Sequence, residues 1–81
     1  MKTFFVYILY SRSLQKYYTG QTNDLEDRMT RHNSGHEKYT KVGAPWELVW
    51  KKDFTTRSEA MKLESQIKKR GAGRYLEQFG I

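Results

Sequence analysis

The 81-residue chain has no cysteine and only one proline, Pro45. Without a thiol there is no disulfide framework, no cysteine nucleophile, no cysteine-ligated zinc and no iron–sulfur cluster. Long apolar runs are also missing: the longest, Phe4 to Tyr10, is seven residues, far short of the roughly 20 that a membrane-spanning helix needs. Lys2 leads into an aromatic, β-type run with no small-residue cleavage site, which does not resemble a signal peptide. The expectation is a soluble cytoplasmic protein. No repeat, low-complexity tract or linker divides the sequence, so one domain is expected over residues 1–81. Area scaling lets a chain of this size bury roughly 64% of its unfolded surface, enough for one modest core.

Acidic residues are in deficit as well. Nine Asp and Glu stand against 15 Lys and Arg, a formal net charge of +6. An excess of this kind on a small body favours a polyanionic partner, although it is also what an ordinary solvated basic surface looks like.

Periodicity organises the remainder. Phe4 to Tyr10 is apolar on both alternating sets and reads as a central strand covered on both faces. Ser11 to Gln15 form a polar connection, and Lys16 to Gln21 a second strand, so the pair reads as an antiparallel hairpin. Asn23 and Glu26 have capping-box spacing and predict a helix from Asn23 through Asn33, with Leu25, Met29 and His32 on one face and Gly35 as its left-handed cap. A basic, tyrosine-containing loop over 36–45 ends at Pro45. Trp46, Leu48 and Trp50 then alternate in a third strand extending to Phe54. Thr56-Arg57-Ser58-Glu59 is a second capping box, opening a helix with Ala60, Leu63 and Ile67 inward and Lys68, Lys69 and Arg70 at its negative end. Gly71 and Gly73 interrupt the pattern before a short last helix over 74–79. The fold class is α+β: a small three-stranded antiparallel sheet flanked by helices, in the order β-β-α-β-α-α.

Glu64 is the most informative single residue. On a helical wheel it lies about 40° from Ala60 and about 60° from Ile67, inside the apolar stripe of its helix. A carboxylate there needs a proton, a cation or a metal, which leaves two readings: a structural salt bridge to a buried Arg or Lys, or a functional acid at the edge of a cleft. Arg28 lies between Leu25 and His32 on the earlier helix. It either clamps a phosphate through two parallel hydrogen bonds or merely pairs with Glu64 or covers apolar surface with its stem. His32 is a packing residue or an acid–base group. Tyr7 and Tyr18 stand on adjacent strands of one hairpin, where both hydroxyls can face the cleft of Arg28. Gly20 suits a close backbone approach, or simply a turn. Tyr17, Tyr39 and Trp46 are candidates for base stacking.

Phe5-Val6-Tyr7, ten intervening residues, Tyr18-Thr19-Gly20, Arg28, His32 one turn later and Glu64 on a later helix together resemble the GIY-YIG nuclease superfamily. Tyr18 to Thr22, His32 to Gly35, Pro45-Trp46, Glu59-Ala60 and Ile67 to Lys69 look like the short, stand-alone bacterial members related to the catalytic domain of the excision-repair incision nuclease. Phe5, Val6 and Thr19 depart from the name-giving motif, and the asparagine that many members carry after the metal-binding helix has no counterpart, since the only asparagines are Asn23 and Asn33.

The resemblance implies a metal-dependent endonuclease acting on DNA phosphodiesters, in DNA repair or recombination. It would have Glu64 on a single divalent cation, Mg²⁺ or Mn²⁺. Tyr7 and Tyr18 would position the attacking water, Arg28 would hold the phosphate, and His32 would act in acid–base or hydrogen-bonding support. Lys38, Lys41, Lys51, Lys52, Lys68, Lys69 and Arg70 would carry nonspecific, salt-dependent contact with the nucleic acid. The rival readings are a non-catalytic nucleic-acid-binding module that keeps the fold, and a protein–protein adaptor.

Overall fold

The computed structural model describes residues 2–35, 38 and 40–81. Its elements are β1 (Phe4–Ser11), β2 (Lys16–Thr22), α1 (Leu25–Ser34), β3 (Trp46–Phe54), α2 (Arg57–Arg70) and α3 (Ala72–Glu77), with a 3₁₀ turn at Lys41–Gly43. The expected β-β-α-β-α-α order is observed. The strands lie in the order β2-β1-β3, both outer strands antiparallel to β1.

The central place of β1 accounts for its double apolar pattern. On one face Val6 and Ile8 are buried with Ala60 and Ile67 of α2 and Leu76 of α3. On the other, Tyr7 and Leu9 are buried with Trp46 and packed by Leu25 and Met29 of α1. The helices therefore sandwich the sheet, α1 on one side and α2 with α3 on the other. Each face buries a small cluster, and β1 joins the two.

Four local expectations change. The β1–β2 connection is four residues rather than five or six, because Ser11 pairs with Lys16 as the last rung of the ladder. Ser11 is fully buried, and its hydroxyl accepts from the Leu14 N–H at 3.2 Å, tying down the turn. Helix α1 is capped by Asp24, not Asn23: the Asp24 carboxylate accepts from the Asp27 N–H at 3.0 Å, and the Thr22 hydroxyl holds the Asp24 N–H at 3.0 Å. In β3 the register to β1 shifts between Ile8, which faces Trp50, and Leu9, which faces Leu48. The extra residue, Val49, reverses the alternation, so Trp46 joins Tyr7 and Leu9 while Trp50 joins the Val6 face. The last helix starts at Ala72 and contains Gly73 instead of following it.

The remaining signals hold. Gly35 ends α1 with φ 83°. The Thr56 hydroxyl accepts from the Glu59 N–H at 3.2 Å and donates to its carboxylate at 2.9 Å, fixing the start of α2. Trp50, Tyr75 and Phe79 form a three-ring cluster over the α3 end, with centroids 5.1 to 5.9 Å apart. Burial pushes the Tyr75 hydroxyl above its ordinary pKa.

Gly20 faces Tyr7 across the β1–β2 ladder. A Cβ at Gly20 would sit 2.5 Å from Tyr7 Oη and 2.7 Å from its Cζ, so the ring occupies the space a side chain would need. Gly20→Ala is expected to lower stability by about 1–3 kcal/mol through overpacking. A Cβ at Gly73 would meet only the Tyr17 ring, at 3.5 Å, so Gly73→Ala is expected to be neutral or to stabilise by up to about 1 kcal/mol through helix propensity. In the core, Ile67→Ala is expected to cost about 2–5 kcal/mol, and the exposed Met61→Ala to change stability by less than about 0.5 kcal/mol. Chemical denaturation of the four variants checks both orderings.

Candidate active site

The site is assembled on the hairpin and α1. The Asp24 cap fixes where α1 begins, which puts Arg28 and His32 one turn apart over the face of the sheet that carries Tyr7. Tyr18 comes from β2, opposite Leu9, and therefore shares that face. Its ring lies 6.4 Å from Tyr7 and meets His32 edge-on at 4.9 Å, with Trp46 beyond at 6.1 Å.

His32 is the hub. It is 1% exposed, and both ring nitrogens are engaged: Nε2 lies 3.0 Å from Tyr7 Oη and Nδ1 3.1 Å from Thr40 Oγ1. The Thr40 carbonyl accepts from the Trp46 indole N–H at 2.7 Å. Trp46 is held in turn by Asn33, whose side-chain oxygen accepts from the Trp46 N–H at 2.6 Å and whose amide donates to the Trp46 carbonyl at 3.2 Å. Strand β1, helix α1, Thr40 and strand β3 are thereby locked around one imidazole.

The tyrosines are not equivalent. Tyr7 is 1% exposed and directs its hydroxyl inward to His32, so the expectation that both hydroxyls face an open cleft is corrected for Tyr7. Tyr18 is half-buried and lines a cleft of about 350 Å³ with Tyr17, Thr19, Lys68 and Ala72. That cleft runs along the outer side of β2, which is an edge strand, and α2 forms its other wall. Arg28 is half-buried on α1.

Glu64 lies between Ala60 and Ile67 on α2, with its side chain 21% exposed. The partner recorded for its carboxylate is Lys68 Nζ at 3.3 Å, itself 59% exposed. The alternative of a buried Arg or Lys is corrected accordingly: Lys68 lies at the surface of the cleft, and Arg28 belongs to the helix on the opposite face. Gln21, next to Val6 on the ladder, points to the same side of the sheet as α2, and its Oε1 is buried without a protein hydrogen-bond partner. Neither Gln21 nor Thr40 stands out in the sequence. Strand alternation assigns Gln21 to the α2 face, but Thr40 has no local signal, because its place follows only from contacts with α1 and β3.

The basic residues are spread. Lys68 borders the cleft, with Lys69 and Arg70 exposed at the end of α2. Lys38 and Lys41 are exposed after α1. Lys51 and Lys52 lie on the far edge strand, their ammonium groups each 5.5 Å from the rings of Phe5 and Phe54 respectively, and are not brought to the cleft. Among the proposed stacking residues, Tyr17 is 44% exposed, Trp46 is buried and bonded and so corrected as a platform, and Tyr39 lies outside the described residues.

Comparison with known proteins covers the whole of this arrangement. Residues 3–75 match the GIY-YIG catalytic domain. A UPF0213 protein of Staphylococcus epidermidis is 44% identical over 69 residues, covering 84% of this chain and 83% of that one. A UPF0213 protein of Oceanobacillus iheyensis is 46% identical over 65 residues, covering 79% and 74%. The solution structure of a UPF0213 protein from Bacillus halodurans matches with a TM-score of 0.59 at 32% identity, over 94% of this chain and 84% of that one. With the match running from before β1 into α3, and the paired tyrosines, Gly20, Arg28, His32 and Glu64 set on its elements, the chain belongs to the GIY-YIG family.

Proposed function

We propose that this protein is a metal-dependent endonuclease that hydrolyses DNA phosphodiester bonds. The observation that carries the reading is the cleft along the edge of β2, lined by Tyr18 and by Lys68 of α2, with Tyr18 packed against His32 and Lys68 paired to Glu64. One side offers a hydroxyl to a water molecule, and the other an acid and a cation to a phosphate.

The residues present fit a hard divalent cation. The Glu64 carboxylate and the orphaned Gln21 Oε1 are oxygen donors on the same side of the sheet. Mg²⁺ or Mn²⁺ can be held by one carboxylate with waters and the substrate phosphate completing the shell. Glu64 would ligate the ion and Gln21 would accept from its water shell. A bound ion would supply neutralisation of the scissile phosphate and stabilisation of the leaving oxygen.

The chain's own residues do the remaining work. Tyr18 would orient the attacking water, being the one of the paired tyrosines Tyr7 and Tyr18 that reaches the cleft. Tyr7 and His32 hold the Tyr18 ring from beneath. Arg28 carries a permanent charge on the tyrosine face, suited to holding a phosphate group of the bound strand. Lys68, Lys69 and Arg70 give contact with the nucleic-acid backbone that weakens with salt. The resemblance of the motifs to short members related to the excision-repair incision nuclease favours a place in DNA repair or recombination. No helix among the described residues is long and apolar enough to cross a membrane.

Glu64→Gln is the decisive variant. Its recorded partner is an exposed lysine, so stability is expected to change by no more than about 1 kcal/mol, while Mg²⁺- or Mn²⁺-dependent nicking of DNA is lost. A fall of roughly 3 kcal/mol or more would mark Glu64 as a buried structural ion. If the wild-type protein binds duplex, branched or single-stranded DNA but cleaves none of them with either metal, the enzyme reading fails and the binding-module reading stands.

A further inference from the structure

Thr40 has no place in the proposed chemistry, yet it is 1% exposed and touches the hub of the site. Its hydroxyl meets His32 Nδ1 at 3.1 Å, and its carbonyl is fixed by the Trp46 indole at 2.7 Å. The indole belongs to a residue clamped at both backbone groups by Asn33, the neighbour of His32 on α1. The threonine hydroxyl is thus delivered to the imidazole by a closed chain of contacts that begins and ends on the same helix.

A neutral imidazole has one N–H and one acceptor nitrogen, and the partner of one nitrogen decides the role of the other. At Nε2 the partner is a phenol, a better hydrogen-bond donor than acceptor. At Nδ1 it is an aliphatic hydroxyl, which accepts as readily as it donates. The arrangement that satisfies both has His32 Nδ1–H donating to Thr40 Oγ1 and Tyr7 O–H donating to His32 Nε2. A free histidine side chain favours the opposite tautomer, with the hydrogen on Nε2, so the protein environment has to impose this one.

We propose that Thr40 is a positioning residue that holds His32 in the Nδ1–H tautomer, so that the Tyr7 hydroxyl hydrogen is turned inward to Nε2. The lone pairs of Tyr7 Oη then face away from His32. The ring plane that the two bonds define is also the one that meets Tyr18 edge-on at 4.9 Å, so Thr40 acts on both tyrosines through one imidazole. The catalytic consequence rests on the nuclease reading above; the tautomer does not.

Two measurements test this. Ring ¹⁵N chemical shifts and long-range ¹H–¹⁵N couplings report which nitrogen carries the hydrogen, with a His36→Gln variant separating the two histidines of the sequence. Wild-type His32 is expected as Nδ1–H. Thr40→Val keeps the shape and removes the hydroxyl, and is expected to give a mixed or Nε2–H ring, with Thr40→Ser restoring the wild-type signature. In cleavage assays Thr40→Val is expected to lose at least about tenfold in kcat with KM within about twofold, and Ser to recover it. A wild-type Nε2–H ring overturns the proposal, and so does a Thr40→Val protein that keeps Nδ1–H. The wild-type spectrum decides even if Thr40→Val does not fold. Absence of cleavage by wild type with an Nδ1–H ring would defeat the nuclease reading and leave the tautomer assignment standing.

Discussion

The buried hydrogen bond between Tyr7 and His32 is the contact on which the site depends. It joins the central strand to the one helix on that face, at 3.0 Å and out of solvent. Buried polar groups are costly unless paired, so neither partner can leave without stranding the other. The pairing determines how α1 lies on the sheet, and α1 in turn carries Arg28 at the level of the tyrosines. Because Thr40 and Trp46 are bound to the same ring or to its neighbours, the segment after α1 is drawn into the same arrangement. The Tyr7–His32 face is therefore the hydrogen-bonded side of the protein's interior, and the Val6–Ile67 face opposite it is mainly apolar, with Gln21 and Glu64 as its polar members.

This division of labour explains how so small a protein can hold a site at all. An apolar cluster on one side of the sheet supplies cohesion without specificity of geometry. A hydrogen-bonded cluster on the other side supplies geometry with less net cohesion. β1 belongs to both, which is why its seven-residue apolar run includes Tyr7, whose ring packs with Leu9 and Trp46 and whose buried hydroxyl is held by His32. The edge strand β2 then presents Tyr18 at the boundary between the two, within the cleft that α2 closes.

Sequence legibility followed the range of the interactions. The α2 stripe of Ala60, Leu63 and Ile67 and the Thr56–Glu59 box are local, and both were readable from spacing alone. So was the anomaly of Glu64 within that stripe, although only the fold shows that its neighbour is the exposed Lys68 and not a buried base. Spacing alone puts the cap of α1 one residue early, because Asn23 and Asp24 are both good caps and the choice is made by Thr22, through a hydrogen bond to the Asp24 backbone. The bulge at Val49 was not readable, since it exists only in the pairing of β3 with β1, and it sends Trp46 and Trp50 to opposite faces. Thr40 was invisible for the same reason: nothing within several residues of it announces a histidine on another element.

The close approach of Tyr7 to Gly20 has a consequence for how such a chain can change over time. With 2.7 Å between the ring and the place a Cβ would occupy, removing the phenol oxygen alone does not open the space. A residue larger than glycine at 20 must displace the Tyr7 ring, and a displaced or smaller residue at 7 weakens the contact with His32. The two positions are therefore coupled, and a change at either is felt by the buried hydrogen bond. A smaller residue at 7 would release the space at 20 while removing the hydroxyl that meets His32, so the room left by one glycine and the buried hydrogen bond are a single coupled feature.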